Sequence, residues 1–233
     1  MMQKRERELS RRLSATTIVP ALWGALETPP GAGPFPGVIL LPGSSGWHGG
    51  YVDRARDMAS EGFVTLALDY LAQTGAEPSP EDMAQHWAEW QALVRGAADY
   101  LQTHTLVSNR GLGLVGFSLG AFLAVSVASD IPRVGAVVEF YGGGGIGGQS
   151  LEEQVRGFPP VLIQHGDADS IVAVAAAYLL RDAVLAQGGE VELAIYPGAG
   201  HAFNASWSPW YSEAEAADSE RRTLEFLRRR LGA

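Results

Sequence analysis

The five residues Gly116-Phe117-Ser118-Leu119-Gly120 constrain this chain more than any other stretch. An apolar run, Gly111 to Val115, leads into them, and a second, Ala121 to Ala128, follows. A strand that turns sharply into a helix through G-x-S-x-G presents its serine on the turn. Glycines flank it because larger side chains would clash across so tight a bend. The hydroxyl is then held at the carboxyl edge of a sheet, with the positive end of a helix beneath it. The pattern implies a strand–turn–helix unit and offers Ser118 as a nucleophile whose activation begins with geometry. With 29 glycines in the chain, the same letters also fit a tight turn carrying an idle serine. Partners elsewhere have to decide.

The surrounding sequence alternates strands and helices. Val38 to Leu41 reads as a short apolar strand ending in Pro42-Gly43, followed by a loop from Ser44 to Gly50. A helix is expected from Tyr51 to Glu61 and a buried strand from Phe63 to Leu68. Ser79-Pro80-Glu81-Asp82 opens a long helix, with serine as cap, proline in the first turn and acids that favour the dipole. Trp87, Trp90, Val94, Ala97 and Leu101 recur along it at helical spacing, as core residues do. Later strands fall at Val134 to Phe140, Pro160 to Gln164 and Val191 to Tyr196. Helices fall at Val172 to Gln187 and Glu213 to Leu231, the last ending in Arg228, Arg229 and Arg230. Ala15 to Glu27 reads as extended. Strands apolar on both faces, separated by helices, predict a mostly parallel sheet covered on two sides. The 233 residues, 46% hydrophobic, suffice for one such core. No linker divides them, so a single domain is expected over residues 15–233, behind a charged, flexible arm at 1–14.

Several function classes drop out. A formal net charge of -9 repels phosphate backbones, so nucleic acid is not an expected partner. There is no cysteine, hence no disulfide framework, thiolate metal site or cysteine nucleophile. No two of the five histidines have the i, i+4 spacing of a metal pair, and H-E-x-x-H is absent. Neither a metal nor another cofactor is called for. An apolar run of membrane-spanning length is missing, and no h-region follows the charged N-terminus. The reading is a soluble, cytoplasmic protein without a membrane partner, monomeric or homodimeric.

A serine nucleophile needs a base, an acid to orient that base, and backbone N–H groups aimed at the developing oxyanion. The chain offers these in the order serine, acid, histidine. In His165-Gly166-Asp167-Ala168-Asp169-Ser170-Ile171-Val172 the pattern G-x-x-D-x-x-V selects Asp169, which also fits the N-terminal cap of the next helix. Asp167 reads as a turn former and remains an alternative. Glu139, set among Val137, Val138 and Phe140, is a third acid, and a carboxylate buried there needs a partner. His201 follows Gly198-Ala199-Gly200 after the last strand and is the candidate base. His86 and His104 sit on or next to the long helix, while His48 and His165 border the site without a role. The oxyanion donors fall to the backbone N–H of Leu119 and of Ser44, since Pro42 has none to give. Trp47, Phe203 and Trp207 are candidate pocket residues that ordinary packing explains equally well.

The elbow, the acid turn, the segment Phe140-Tyr141-Gly142 and the loop Ala199-Gly200-His201-Ala202-Phe203 together resemble the dienelactone hydrolase family. The likeness runs from about Ile18 to the C-terminus. It implies the α/β-hydrolase fold, a doubly wound sheet of about seven to eight strands, with Ser118, Asp169 and His201 as catalytic residues. Founding members carry cysteine in the elbow and a glutamate in the loop after the third strand to control the thiol. Here Ser118 and Gly43 hold those places. The arginines that grip a carboxylated lactone are not evident near His201, where Asn204 and Ala205 follow Phe203. The resemblance thus implies a carboxylesterase for small, neutral esters or lactones. The stretch from Gly142 to Pro159 is too short for a large lid. Peptidase or acyltransferase chemistry on the same residues, or a noncatalytic binding protein on the same fold, are the alternatives.

Overall fold

The computed structural model describes residues 15–77 and 79–232. The arm expected at 1–14 lies outside the described residues. Eight strands form one sheet: β1 (Ala15–Val19), β2 (Gly24–Thr28), β3 (Phe35–Leu41), β4 (Val64–Leu68), β5 (Val107–Phe117), β6 (Val134–Phe140), β7 (Val161–Gly166) and β8 (Val191–Tyr196). Their order across the sheet is β1-β2-β4-β3-β5-β6-β7-β8. The β1–β2 and β2–β4 pairs are antiparallel, and every later pair is parallel. The helices are α1 (Tyr51–Ser60), α2 (Tyr70–Thr74), α3 (Pro80–Thr103), α4 (Leu119–Val127), α5 (Leu151–Gln154), α6 (Ala175–Ala186) and α7 (Glu213–Leu231).

The pleat sorts the apolar strands onto two cores. Ile39, Leu41, Leu114, Val137 and Ile163 face α3, α4 and α6, which contribute Trp90, Val94, Leu123 and Leu180. Val38, Leu40, Val115, Val138 and Leu162 face α1 and α7, which contribute Ala55, Met58, Phe226 and Leu227. Burial on both faces explains why these strands read as continuous apolar runs rather than alternating ones. Burial of each large side chain contributes about 1.5–3 kcal/mol, so the paired cores dominate the stability of the sheet.

After β3 the chain moves outward to β4, then returns through α3 to β5 on β3's other side. Strand order therefore reverses between β3 and β5. In an open α/β sheet, the crevice beyond the carboxyl ends at such a point is where ligands bind. The loops carrying Ser44 and Ser118 both leave the sheet there.

Several boundaries differ from expectation: β3 and β5 begin earlier, at Phe35 and Val107, and β5 runs on to Phe117. Ala15 to Glu27 is two paired strands joined by a 3-10 turn at Pro20–Leu22 and by Trp23 at φ 46°. Strand β7 continues two residues further, to Gly166. Helix α6 begins at Ala175 rather than Val172, so Asp169 is not its cap. Its Oδ1 instead accepts from the N–H groups of Ile171 and Val172 at 2.8 and 2.9 Å, and the His165 ring takes the Val172 carbonyl at 2.9 Å. Those bonds hold the backbone in a turn and delay the helix.

Candidate active site

Strand β5 ends at Phe117, and Ser118 takes φ 51°, ψ −116° before α4 starts at Leu119. Both flanking glycines are required by close approach. A Cβ on Gly116 would lie 2.4 Å from the Gly120 carbonyl oxygen, and one on Gly120 would lie 2.1 Å from that of Leu41. The Ser118 N–H donates to the Phe140 carbonyl, and the Ser118 carbonyl accepts from Ala121 and Phe122. The elbow is thus bonded both to the neighbouring strand and to its own helix. Leu119 opens that helix, and the first N–H groups of a helix have no acceptor within it.

Asp169 and His201 follow β7 and β8, which pair in parallel with His165 opposite Ile195 and Gly166 opposite Tyr196. His201 Nδ1 lies 2.7 Å from Asp169 Oδ2, and Nε2 lies 2.9 Å from Ser118 Oγ. Because an ionised carboxylate only accepts, the ring proton belongs on Nδ1, which leaves Nε2 to accept from the serine hydroxyl. Burial opposes the charge on Asp169. The hydrogen bonds from His165, His201, Val172 and Ile171 outweigh it and hold the carboxyl well below the usual range. Asp167 is the turn former: its Oδ1 accepts the Gly198 N–H at 2.6 Å and ties the acid turn to the histidine loop.

The loop after β3 is pinned by two tyrosines. Gly43 N–H donates to Tyr51 Oη at 3.1 Å, and Tyr70 Oη–H donates to the Pro42 carbonyl at 2.7 Å. With Gly43 engaged and Pro42 lacking an N–H, Ser44 is the next backbone donor along the loop. A Cβ on Gly43 would sit 3.4 Å from Ser118 Cβ, so position 43 does border Ser118.

Side chains without a motif complete the surroundings. Tyr141, at φ 41°, sets its ring edge-on to His201 with centroids 4.8 Å apart. Its hydroxyl, kept protonated by burial, donates to Asn204 Oδ1 at 2.9 Å. The Arg54 guanidinium donates to the Asn204 carbonyl and lies 5.1 Å from the Phe117 ring centre. An arginine therefore does reach the histidine loop, brought from α1 by the fold. It lines a cavity of about 350 Å³ together with Asp53, Asp57, Glu213 and Glu220, an environment poor for a second carboxylate.

The expected pocket residues separate. Trp47 lines a cavity of about 260 Å³ with Ser44, Ser45 and Asp69. Phe203 is fully buried against Tyr141 and Tyr196, a packing position, and Trp207 is half exposed. Among the described residues, no three His, Cys, Asp or Glu side chains gather as a metal-holding group. Nor is any helix there long and apolar enough to cross a membrane.

The sequence profile of the Dienelactone hydrolase family matches residues 22–231. The chain belongs to that family. Membership makes it a hydrolase of the dienelactone hydrolase type, on the α/β-hydrolase fold described above. A Salmonella typhimurium protein named "Putative carboxymethylenebutenolidase" is 29% identical over 213 residues, which span 84% of this chain and 77% of that protein. The crystal structure of a dienelactone hydrolase-like promiscuous phosphotriesterase from metagenomic libraries superposes with TM-score 0.76 at 21% identity, covering 89% and 92% of the two chains. A mouse acyl-coenzyme A amino acid N-acyltransferase is 37% identical over 116 residues, 49% of this chain and 26% of that protein.

Proposed function

We propose that this family member is a serine hydrolase that cleaves small, neutral carboxylic esters or lactones through an acyl-serine intermediate. The observation that carries the reading is the continuous chain from Asp169 through His201 to Ser118, at 2.7 and 2.9 Å. As Ser118 Oγ attacks the ester carbonyl, its proton passes to His201 Nε2. Asp169 holds the Nδ1–H tautomer and stabilises the imidazolium. The N–H groups of Leu119 and Ser44 bind the oxyanion of the tetrahedral intermediate. His201 then protonates the leaving alcohol. Water, deprotonated by the same ring, releases the acid and restores Ser118.

The test pairs a short p-nitrophenyl ester with a fluorophosphonate probe. The folded protein is expected to turn over the first and be labelled by the second at about pH 8. Ser118→Ala is expected to lose both. Neither turnover nor labelling in folded, unmodified protein would overturn the reading.

The likeness to the mouse acyltransferase supports a second reading, in which an amine or alcohol takes the acyl group instead of water. Product analysis with a competing amine such as hydroxylamine separates the two. Free acid alone favours hydrolysis, whereas predominant hydroxamate favours transfer.

A further inference from the structure

Between the end of β8 at Tyr196 and the start of α7 at Glu213 the chain forms no helix or strand, yet this segment carries His201. Successive turns fold it back on itself. Ala205 N–H donates to the Ala202 carbonyl, Ser208 N–H to that of Ala205, Tyr211 N–H to that of Ser208, and Ser212 N–H to that of Phe203. The fold-back brings the buried side chain of Ser208 against the backbone of His201. Ser208 Oγ lies 3.2 Å from the His201 carbonyl oxygen and 3.1 Å from the Trp210 nitrogen. A carbonyl only accepts and an amide N–H only donates, so the hydroxyl proton points at His201. Pro209, between Ser208 and Trp210, has a fixed φ that stiffens the turn.

We propose that Ser208 is a positioning residue that fixes the backbone of His201, with Trp210 as its brace. The proposal rests on the hydrolytic reading of Ser118, Asp169 and His201. A Cβ on Gly200 would lie 2.5 Å from Trp210 Cγ and 3.0 Å from Trp210 Cβ. The root of the indole, not its far end, therefore sits against the residue before His201. Ser208 holds the carbonyl on the other side of the His201 Cα. The two contacts bracket that Cα. The bonded carbonyl belongs to the peptide that joins His201 to Ala202, and Ala202 has φ 56°. A non-glycine residue keeps such an angle only when its surroundings impose it. The Ser208 bond orients that peptide plane.

The consequence follows from the ring's two contacts. His201 has to meet Asp169 at 2.7 Å and Ser118 at 2.9 Å together, and both distances follow from where its Cα stands. A misplacement of about 1 Å at a reacting group costs up to about 10²-fold in rate. Asp169 and the Tyr141 ring restrain the imidazole itself. Neither holds the backbone from which the imidazole projects. Ser208 does so, through the carbonyl rather than the ring. Its loss therefore acts on turnover more than on substrate affinity.

Steady-state kinetics on the p-nitrophenyl ester and proton NMR of the full chain test this, with Ser208→Ala and Ser208→Thr as variants. Alanine removes the hydroxyl and threonine keeps it. In Ser208→Ala, kcat is expected to fall at least about tenfold while KM stays within about twofold. In Ser208→Thr, kcat is expected to stay within about threefold of the unmodified protein. The proton on His201 Nδ1, held against Asp169, is followed as a downfield resonance, assigned by its loss in His201→Gln. It is expected to broaden or shift in Ser208→Ala and to return in Ser208→Thr. In an active chain, an unchanged kcat or an unchanged resonance in Ser208→Ala would overturn the proposal. Equal kcat losses in both variants would assign Ser208 to packing and overturn it as well. The NMR arm needs no turnover. If the resonance responds as expected in a chain that hydrolyses no ester, the role of Ser208 holds and the hydrolytic reading falls.

Discussion

At the scale of single residues, the site concentrates unusual backbone. Ser118, Tyr141 and Ala202 all have positive φ, at 51°, 41° and 56°, and follow the carboxyl ends of β5, β6 and β8. Non-glycine residues hold such angles only when their surroundings impose them, and functional sites are where that occurs. The two aspartates near His201 have separable duties, which substitution distinguishes. Asp169→Asn leaves an amide beside His201 Nδ1 and favours the wrong tautomer, so kcat/KM is expected to fall about 10³- to 10⁴-fold. Asp167→Asn keeps an acceptor for the Gly198 N–H and is expected to stay within about threefold. Steady-state kinetics on the p-nitrophenyl ester reads both; equal losses would reverse the assignment. Ser118, Asp169 and His201 were legible in the sequence because each sits in a loop whose neighbours announce it. Tyr141, Asn204 and Arg54 were not, because their contacts depend on which strands become neighbours. Glu139 drew attention as a buried acid, but its bond from the Gly142 N–H depends on how the chain turns after β6.

Helix α3 shows how much of an element can be read locally and how much cannot. Ser79 Oγ accepts the Asp82 N–H at 3.1 Å, as the capping sequence implies. Trp87, Trp90, Val94 and Leu101 are buried, as their spacing implies. What the spacing omits is the partner: Trp90 is fully buried, and its Nε1 donates to Thr74 Oγ1 at 3.0 Å. Thr74 closes α2, a helix of five residues with too little length to show periodicity. Trp90→Ala removes a buried indole and its hydrogen bond to Thr74, and is expected to cost about 3–5 kcal/mol. The urea midpoint would drop with an unchanged slope. A loss below about 1 kcal/mol would mean the helix repacks around the cavity. The β1–β2 pair escaped the reading because its turn, Pro20–Leu22 followed by Trp23, lacks the Asn-Gly or Asp-Gly signal of a tight hairpin. The start of α6 was misjudged because helix propensity from Val172 onward loses to the hydrogen bonds of Asp169 and His165.

For the whole molecule, the buried groups set how stability varies with pH. Glu139 titrates at about 7 when folded against 4.5 as an ordinary carboxyl, so between those values the folded protein binds the extra proton. Stability then falls as pH rises through that window. His165, also raised, acts in the same direction, its contribution present below its ordinary value and lost above its folded one. Asp169 acts oppositely, stabilising above its ordinary range and losing that contribution only in stronger acid. Unfolding free energies from urea titrations are therefore expected to decline from about pH 5 to about pH 8, by at most about 1.4 kcal/mol per pH unit for one proton. Glu139→Gln is expected to flatten the decline, and parallel curves would remove Glu139 as its source. Ser118 and His201 stand 83 residues apart in the chain, on β5 and β8 loops. During synthesis the central strands and the elbow emerge before the histidine, which follows the last strand of the sheet. The nascent chain therefore carries the Ser118 elbow for the 83 residues of synthesis that separate it from His201. On the proposed mechanism, reactivity begins only when the outermost strand β8 pairs, so chemical competence would report completed folding.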